Sequence, residues 1–185
     1  ISRIKYYAPG NQPGQLGGKA VRQMAEDSPQ RLWIATEDGG LNLLDRTSDN
    51  ISRVNISGMS SDNIHSLIID NHRNLWIGTF MGGLTRYNLD THDAYTYDRH
   101  NSPLAENNIF ALCTDRDSDL WIGTTNGLYH YDNASQQIEP IHQQLLDHAF
   151  VFHLDSDKDG IVWVGTRYNG LISYDKTTGT THHYK

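Results

Sequence analysis

The strongest constraint on this fold is a short apolar motif that occurs four times. Each copy is centred on a tryptophan, at positions 33, 76, 121 and 163, so the copies stand 43, 45 and 42 residues apart. The second copy is Leu75-Trp76-Ile77-Gly78-Thr79, and the others differ from it only by small or branched apolar replacements. A period of about 43 residues is typical of the four-stranded blades of β-propellers. The sequence therefore predicts four consecutive blades.

The copies align without a gap from twelve residues before each tryptophan to five residues after it. An aspartate stands six residues before each tryptophan: Asp27, Asp70, Asp115 and Asp157. After the threonine come two variable residues, a glycine-containing turn and a leucine. This pattern predicts four short strands in each copy, which we name a, b, c and d. The aspartate would begin the a–b turn, where its side chain can accept backbone N–H groups two residues on.

The b strands are apolar at nearly every position, which predicts burial on both faces. Stacked propeller blades provide such burial, because each sheet is covered by its neighbours. No helical periodicity of useful length is present. We therefore predict an all-β β-propeller of four four-stranded blades of about 43 residues, forming part of a larger propeller. The expected segments are an outer strand of a preceding blade at 1–10, then blades at 19–57, 62–99, 107–142 and 148–185.

Composition excludes several functional classes. The 185 residues include 15 Lys and Arg against 22 Asp and Glu, a formal net charge of −7, which argues against a nucleic-acid partner. No apolar run approaches the roughly 20 residues of a membrane span. The chain starts at Ile1 without a methionine or a leader, so we expect a processed or excised piece. The single cysteine, Cys113, allows no internal disulfide and is expected in the core.

The repeat resembles the regulator-propeller repeat of bacterial two-component sensors. The resemblance is carried by Ser61-Asp62-Asn63-Ile64, the aspartate, the motif Leu75–Thr79, Gly82-Gly83-Leu84 and the pair Tyr87-Asn88. It extends over nearly the whole chain, with small departures such as Leu44 in place of the tyrosine of the first copy. The columns shared with the family are structural.

This resemblance implies an extracytoplasmic, periplasmic sensor region of a membrane-anchored protein. In that family the propeller is the input domain for a histidine kinase, a hybrid kinase–response regulator or a diguanylate cyclase, and it often recognises glycans or related nutrients. The family's arrays are usually longer than four blades. The present sequence contains no kinase, receiver or cyclase segment, so it carries the input half at most.

Metal and cofactor chemistry have weak support in the sequence. Asp155, Asp157 and Asp159, followed by Gly160, resemble the start of a calcium loop. However, Asp157 belongs to the aspartate column of the a–b turns, and Thr166 stands where a calcium loop needs its bidentate glutamate. The ten histidines show no ligand spacing. We therefore expect no metal, no cofactor and no catalytic residues.

Variable residues around the constant turns give the candidate binding face. In an up-and-down sheet the b–c and d–a connections emerge on the same side. Their variable positions mix aromatic, acidic, amide and cationic groups, which suits a polar, ring-bearing ligand such as a sugar. Hairpin tips also vary simply because nothing constrains them. The candidate ligand-binding residues are Glu37, Asp38, Phe80, Met81, Asn126, Arg167, Tyr168, Asn63, Asn108 and His148.

Three functional classes remain open from sequence alone. The first is a sensory propeller that binds a small molecule or an oligosaccharide. The second is a scaffold for protein interaction, including self-association or packing against further blades of a parent chain, with any membrane contact made by other parts of that protein. The third is a propeller lyase or glycosidase, which would be expected to converge paired carboxylates or a histidine of perturbed pKa on its axis.

Overall fold

The computed structural model describes residues 4–184, and within them all sixteen strands fall into four separate antiparallel sheets without a helix. The strands of the first two blades are β1 (Val21–Ser28), β2 (Arg31–Thr36), β3 (Gly40–Asp45), β4 (Asn50–Val54), β5 (Ile64–Ile69), β6 (Asn74–Thr79), β7 (Leu84–Asn88) and β8 (Ala94–Tyr97). Those of the last two are β9 (Ile109–Thr114), β10 (Leu120–Thr124), β11 (Gly127–Asp132), β12 (Gln137–Pro140), β13 (Val151–Ser156), β14 (Ile161–Thr166), β15 (Leu171–Asp175) and β16 (Thr180–Tyr184). The predicted all-β propeller class is confirmed.

Each blade is an up-and-down meander whose four strands follow one another in chain order. The a strands β1, β5, β9 and β13 pack side by side in sequence and form the inner wall of the array. The d strands lie at the outer edge of each sheet. Every strand lies inside the blade limits given above, although those limits themselves stay a prediction. The part of the chain that is described contains no helix able to cross a membrane.

One hydrogen bond is repeated inside all four blades. The indole Nε1–H of each tryptophan donates to the aspartate six residues before it, at 2.9, 2.8, 3.0 and 2.9 Å in chain order. The other carboxylate oxygen accepts the backbone N–H two residues on in three blades, as at Asp70, where the distance is 2.8 Å. This capping of the a–b turn was expected, whereas the bond to tryptophan was not. The constant aspartate therefore ties the turn to strand b.

The tryptophans of the first three blades also pack against the following blade. Trp33, Trp76 and Trp121 are almost fully buried. Their rings contact the tyrosine on strand c of the next blade, with ring centroids 6.3, 4.8 and 5.6 Å apart, in the pairs Trp33–Tyr87, Trp76–Tyr131 and Trp121–Tyr174. Aromatic pairs in such geometry add to the stability gained from burial. The blades are thus joined by an apolar contact that is repeated at every interface.

The small residues of strand b permit this close stacking. A Cβ atom on Gly78 would lie 2.7 Å from Ile109 Cγ2 of the next blade, and one on Gly123 would lie 2.4 Å from Val151 Cγ1. Both distances are shorter than real contacts allow, so the sheets can approach this closely only because glycine has no side chain. The last copy differs, because a Cβ on Gly165 would meet only His153 of its own blade, at 3.4 Å.

Blade 4 departs from the predicted double burial. Trp163 is only partly buried, and Leu171 and Tyr184 on the same sheet are 40% and 43% exposed. The physical reason is that no following blade lies against this sheet among the described residues. The prediction that every b strand is buried on both faces is therefore wrong for β14 of this blade.

Two further expectations concern single segments. Cys113 is buried, and this burial together with nearby Asp155 raises the pKa of its thiol to about 12, as befits a core residue. The outer strand expected at 1–10 begins outside the described residues, and residues 4–8 form no strand. Leu16, with Tyr7 beside it, packs on Ile34 of blade 1. Since an outer strand would pair within a preceding blade, that assignment stays a prediction.

Candidate functional site

The variable b–c tips and d–a loops meet on one side of the array, which we call the mouth. Backbone bonds join the tips of blades 1, 2 and 4 to the loop before the same blade, as in Phe80 N–H to Asn63 O at 2.8 Å. Other backbone bonds join the tip to the loop before the next blade, as in Gly83 N–H to Asn107 O at 2.9 Å. The b–c tips and the d–a loops are therefore connected to one another on this side of the array.

Side-chain contacts divide the ten predicted residues into small groups. Asn108 Oδ1 accepts the Met81 N–H at 2.9 Å, which links the second and third blades. Asn126 Oδ1 lies 2.8 Å from His148 Nδ1, which links the third and fourth. These last two residues also line a cavity of about 400 Å³ beside blade 3.

Four of the remaining predicted residues belong to the first and last blades, whereas Asn63 and Phe80 belong to blade 2. Asp38 Oδ1 accepts the Lys19 N–H at 3.0 Å, so this carboxylate supports its own loop. Glu37 Oε2 lies 3.7 Å from Arg22 Nη1. Arg167 and Tyr168 are both exposed, and the Arg167 guanidinium lies 5.5 Å from the Tyr168 ring centroid. The mouth therefore offers exposed aromatic and cationic groups at blade 4 and amide groups at blades 2 and 3.

A second variable set was missed from the sequence. It consists of the residue eleven positions before each tryptophan, which lies on strand a, and we call it the channel ring: Arg22, His65, Phe110 and Phe152. Each follows a framework Val or Ile; three of those framework side chains are fully buried, while Val21 in the first blade is 44% exposed. Each ring residue is the unpaired residue of a β-bulge at the start of strand a, and the four side chains line one cavity beside the a strands. The signal was available as a column that contains three residue types in four blades, next to a column that contains only Val and Ile.

The members of the channel ring contact one another in chain order. Arg22 Nη2 lies 3.3 Å from His65 Nδ1, the His65 and Phe110 ring centroids are 4.3 Å apart, and those of Phe110 and Phe152 are 6.0 Å apart. Phe150 adds a third phenyl ring, 4.9 Å from Phe110. The ring lines a cavity of about 390 Å³ on the inner wall.

The electrostatics of this cavity are set by Arg22. Burial and the neighbouring Arg22 lower the pKa of His65 below its ordinary value of 6.5, partly opposed by Glu37. His65 is therefore neutral near pH 7 and its Nδ1 can accept a hydrogen bond from Arg22. Such a bond would hold the guanidinium against the cavity wall, next to the phenyl rings.

A different cluster has the composition of a metal site. Asp115, Asp119 and His130 offer ligand atoms within 4.8 Å of one another. However, the Lys176 ammonium of the next blade lies among them, 2.9 Å from Asp115 Oδ2 and 2.7 Å from Asp119 Oδ2. Burial alone would lower the pKa of Lys176, but its bonds to Asp119 and Asp115 outweigh burial and raise it. The cluster thus works as an ion-paired link between blades 3 and 4.

The aspartate-rich loop of blade 4 is likewise used by the fold. Asp157 Oδ1 accepts the N–H groups of Asp159 and Ile161 at 2.9 and 3.0 Å, and its Oδ2 accepts the Trp163 indole. Both oxygens that a calcium loop would need from Asp157 therefore have protein donors, which supports the turn interpretation.

Structural comparison finds propellers of much greater length. The extracellular domain assigned to the hybrid two-component system BT3049 of B. thetaiotaomicron matches with a TM-score of 0.79 and 19% identity, over 97% of this chain and 24% of that one. The domain assigned to the one-component system BT4673 of the same organism matches with a TM-score of 0.75 and 22% identity, over 88% and 22%. Virginiamycin B lyase from Staphylococcus aureus matches with a TM-score of 0.72 and 12% identity, over 90% and 55%.

At these identities the likeness concerns the fold, and the chain spans less than a quarter of either B. thetaiotaomicron domain. No curated protein matches the sequence. The family model described as the two-component regulator propeller matches residues 15–38, 58–81 and 103–126, which include the first three tryptophan motifs. Three stretches of the chain, around the first three tryptophan motifs, therefore match the two-component regulator propeller repeat.

Proposed function

We propose that this chain is part of the sensory input region of a bacterial two-component signalling protein, and that it binds a small polar ligand at the mouth. The regulator-propeller repeats support the signalling role. By analogy with the extracellular domains that share its fold, we place the segment on the periplasmic side of a membrane-anchored sensor. A kinase or a similar output module would lie elsewhere in the parent protein.

The observation that carries ligand binding is the chemistry of the mouth. The Tyr168 ring is 78% exposed beside Arg167 on the tip of blade 4, and Phe80 and Met81 are 38% and 69% exposed on the tip of blade 2. Asn63 contributes a buried Oδ1 that accepts no hydrogen bond from the described residues. Exposed rings among amide and cationic donors fit a sugar, whose apolar face stacks while its hydroxyls form hydrogen bonds.

A glycan-array screen with the purified protein tests this proposal. We expect binding to a small set of glycans, weakened in Tyr168→Ala and Arg167→Ala. Tyr95→Ala provides a matched control, because Tyr95 is 47% exposed on the outer strand of blade 2. Equal binding by all of these variants, or no binding to any glycan or free nutrient sugar, would contradict the proposed role of the mouth.

The alternative of a protein-interaction scaffold has one observation in its favour. The uncovered sheet of blade 4 exposes Leu171 and Tyr184 beside a partly buried Trp163, whereas the other three tryptophans each meet a tyrosine of the next blade. This surface fits another propeller blade, supplied by a second copy or by the parent chain. Light scattering coupled to size exclusion at micromolar concentration tests self-association, and a stable 21.0 kDa monomer would contradict it.

An enzymatic role has the least support. The channel ring on the inner wall contains an arginine, a histidine and two phenylalanines, so it supplies no pair of carboxylates of the kind that glycosidases use. The pKa of its histidine, His65, is lowered, but the imidazole ring contacts Arg22 and Phe110 rather than a carboxylate. The likeness to virginiamycin B lyase is one of fold. We accordingly propose that this segment is not catalytic.

A further inference from the structure

The channel ring forms a surface whose chemistry differs from that of the mouth. Phe110, Phe150 and Phe152 create a nearly continuous phenyl wall, with ring centroids between 4.9 and 6.0 Å apart. Phe152 is 51% exposed even though it lies in a concave surface. Phenyl rings gain stability from burial, so a cluster left open to solvent in a cavity marks a place where a ligand can remove apolar surface from water.

One end of the cavity is cationic, and it lies next to the phenyl rings. Arg22 extends into it, and its closest acidic partner is Glu37, at 3.7 Å through a single pair of atoms. A guanidinium carries five N–H donors in a planar fork that matches a carboxylate. One donor can serve the neutral His65 and one faces Glu37, which leaves donors for a ligand.

We propose that the channel ring binds a small aromatic carboxylate, with its carboxylate on Arg22 and its ring against Phe110 and Phe152. The cavity of about 390 Å³ lies within the range of small-molecule sites. This site goes beyond the function proposed above, because it lies on the inner wall and uses none of the mouth residues assigned to sugar binding.

The wall favours an aromatic acid over a sugar acid. The phenyl side chains of Phe110 and Phe152 provide no hydrogen-bonding atom, so the hydroxyl groups of a sugar lying on them would lose water without gaining partners there. The polar side chains of Gln23, His65 and His153 line the cavity beside these rings. A planar aromatic ring has no hydroxyl groups to satisfy and can stack in offset or edge-to-face geometry. The carboxylate is then the one group that needs strong donors, and Arg22 supplies them.

Isothermal titration calorimetry with trans-cinnamate as the probe tests the site. We expect Arg22→Gln to weaken binding by about ten- to a hundredfold, which is the range for losing hydrogen bonds to a charged group. We expect Phe152→Ala to weaken it by about three- to tenfold, through lost ring contact. Methyl cinnamate, which lacks the charge, should bind as weakly to the native protein as cinnamate does to Arg22→Gln.

Matched variants exclude general effects on the fold. Arg46→Gln removes an exposed arginine that is also paired with one glutamate, Glu26, and Tyr95→Ala removes an exposed ring outside the cavity. Both should bind cinnamate as the native protein does. No binding of cinnamate at millimolar concentration, or equal loss in Arg46→Gln and Arg22→Gln, would overturn the proposal.

Titration with glucuronate, a sugar acid, distinguishes a site for aromatic acids from a site for sugar acids. Binding of glucuronate as tight as that of cinnamate, with the same dependence on Arg22, would identify a sugar-acid site and overturn the aromatic assignment. Loss of cinnamate binding together with an intact glycan-array signal would reject this site alone, since the mouth residues carry the other proposal.

Discussion

The tryptophan column and the channel ring occupy equivalent places in all four blades, yet they differ in composition and environment. The tryptophan is constant, is hydrogen-bonded to a constant aspartate, and in three blades is almost fully buried against the next blade. The channel ring contains three residue types in four blades, and Arg22 and Phe152 are exposed. The constant residue packs between blades, whereas the variable residues lie on a partly exposed surface. The difference separates residues that hold the propeller together from residues free to recognise something.

Removal of an interface tryptophan should give the largest effect. Trp121→Ala deletes a buried indole between blades 3 and 4 and should lower the free energy of unfolding by about 3–5 kcal/mol. Trp163→Ala removes a partly exposed ring and should cost about 1–3 kcal/mol. Denaturant unfolding followed by circular dichroism measures both. Equal losses would show that the two tryptophans are equally packed, which the exposure of blade 4 argues against.

Asp115, the repeated aspartate that is hydrogen-bonded to Trp121, should make the free energy of unfolding depend on pH. Burial alone would raise the pKa of Asp115, but hydrogen bonds from Lys176 and Trp121 outweigh it and lower the pKa below its ordinary value of 3.8. A lowered folded-state pKa gives stability that is present above about pH 4 and is lost as the pH falls through the folded value.

Asp115→Asn tests this dependence by removing the titrating group. The native protein should lose stability below about pH 4. The variant should be less stable near neutral pH, because Lys176 loses one of its carboxylate partners, and its pH profile should be flatter. Thermal melts between pH 2.5 and 7 supply the measurement. Parallel profiles for the two proteins would show that Asp115 does not contribute.

Substitutions in the mouth should have small effects on the fold. Arg167→Ala and Tyr168→Ala alter exposed side chains at a hairpin tip, so each should change the free energy of unfolding by less than about 0.5 kcal/mol. The same denaturant titration decides this. A loss comparable to that of Trp121→Ala would identify these residues as structural and remove them from the proposed site.

Chelation should have the smallest effect. Both oxygens of Asp157 accept protein hydrogen bonds, and the Lys176 ammonium lies among the carboxylates of Asp115 and Asp119. Excess EDTA should therefore leave the melting temperature unchanged, since no bound ion would be withdrawn. A lower melting temperature with EDTA that calcium restores would reassign one of these clusters as a metal site.

Most of the fold could be predicted from the repeat, because each copy shows the same pattern of strands and turns. Trp76 with its aspartate and glycines predicts one blade, and three further copies in phase predict how the blades succeed one another. The bond from Trp76 Nε1 to Asp70 was not foreseen, since the pattern shows that two residues are constant without showing that they touch. The exposure of Trp163 was also missed, because the motif is the same whether or not a further blade covers it.

The candidate site was only partly predictable. Hairpin tips such as Phe80-Met81 follow from the position of the turn, so the mouth could be located from sequence. His65 and Phe110 lie in different blades, and their contact depends on the inward curvature of the a strands, which spacing along the chain does not reveal. The Lys176 contact to Asp115 is likewise fixed by how two blades stack.

The most direct test compares the two columns within one set of unfolding experiments. We predict that Arg22→Ala/Phe152→Ala, which removes the two exposed members of the channel ring, keeps the free energy of unfolding within about 1 kcal/mol of the native value. The single change Trp121→Ala should cost about 3–5 kcal/mol under the same conditions. A double variant as destabilised as Trp121→Ala would contradict the separation between a constant column that holds the blades together and a variable column that is free for recognition.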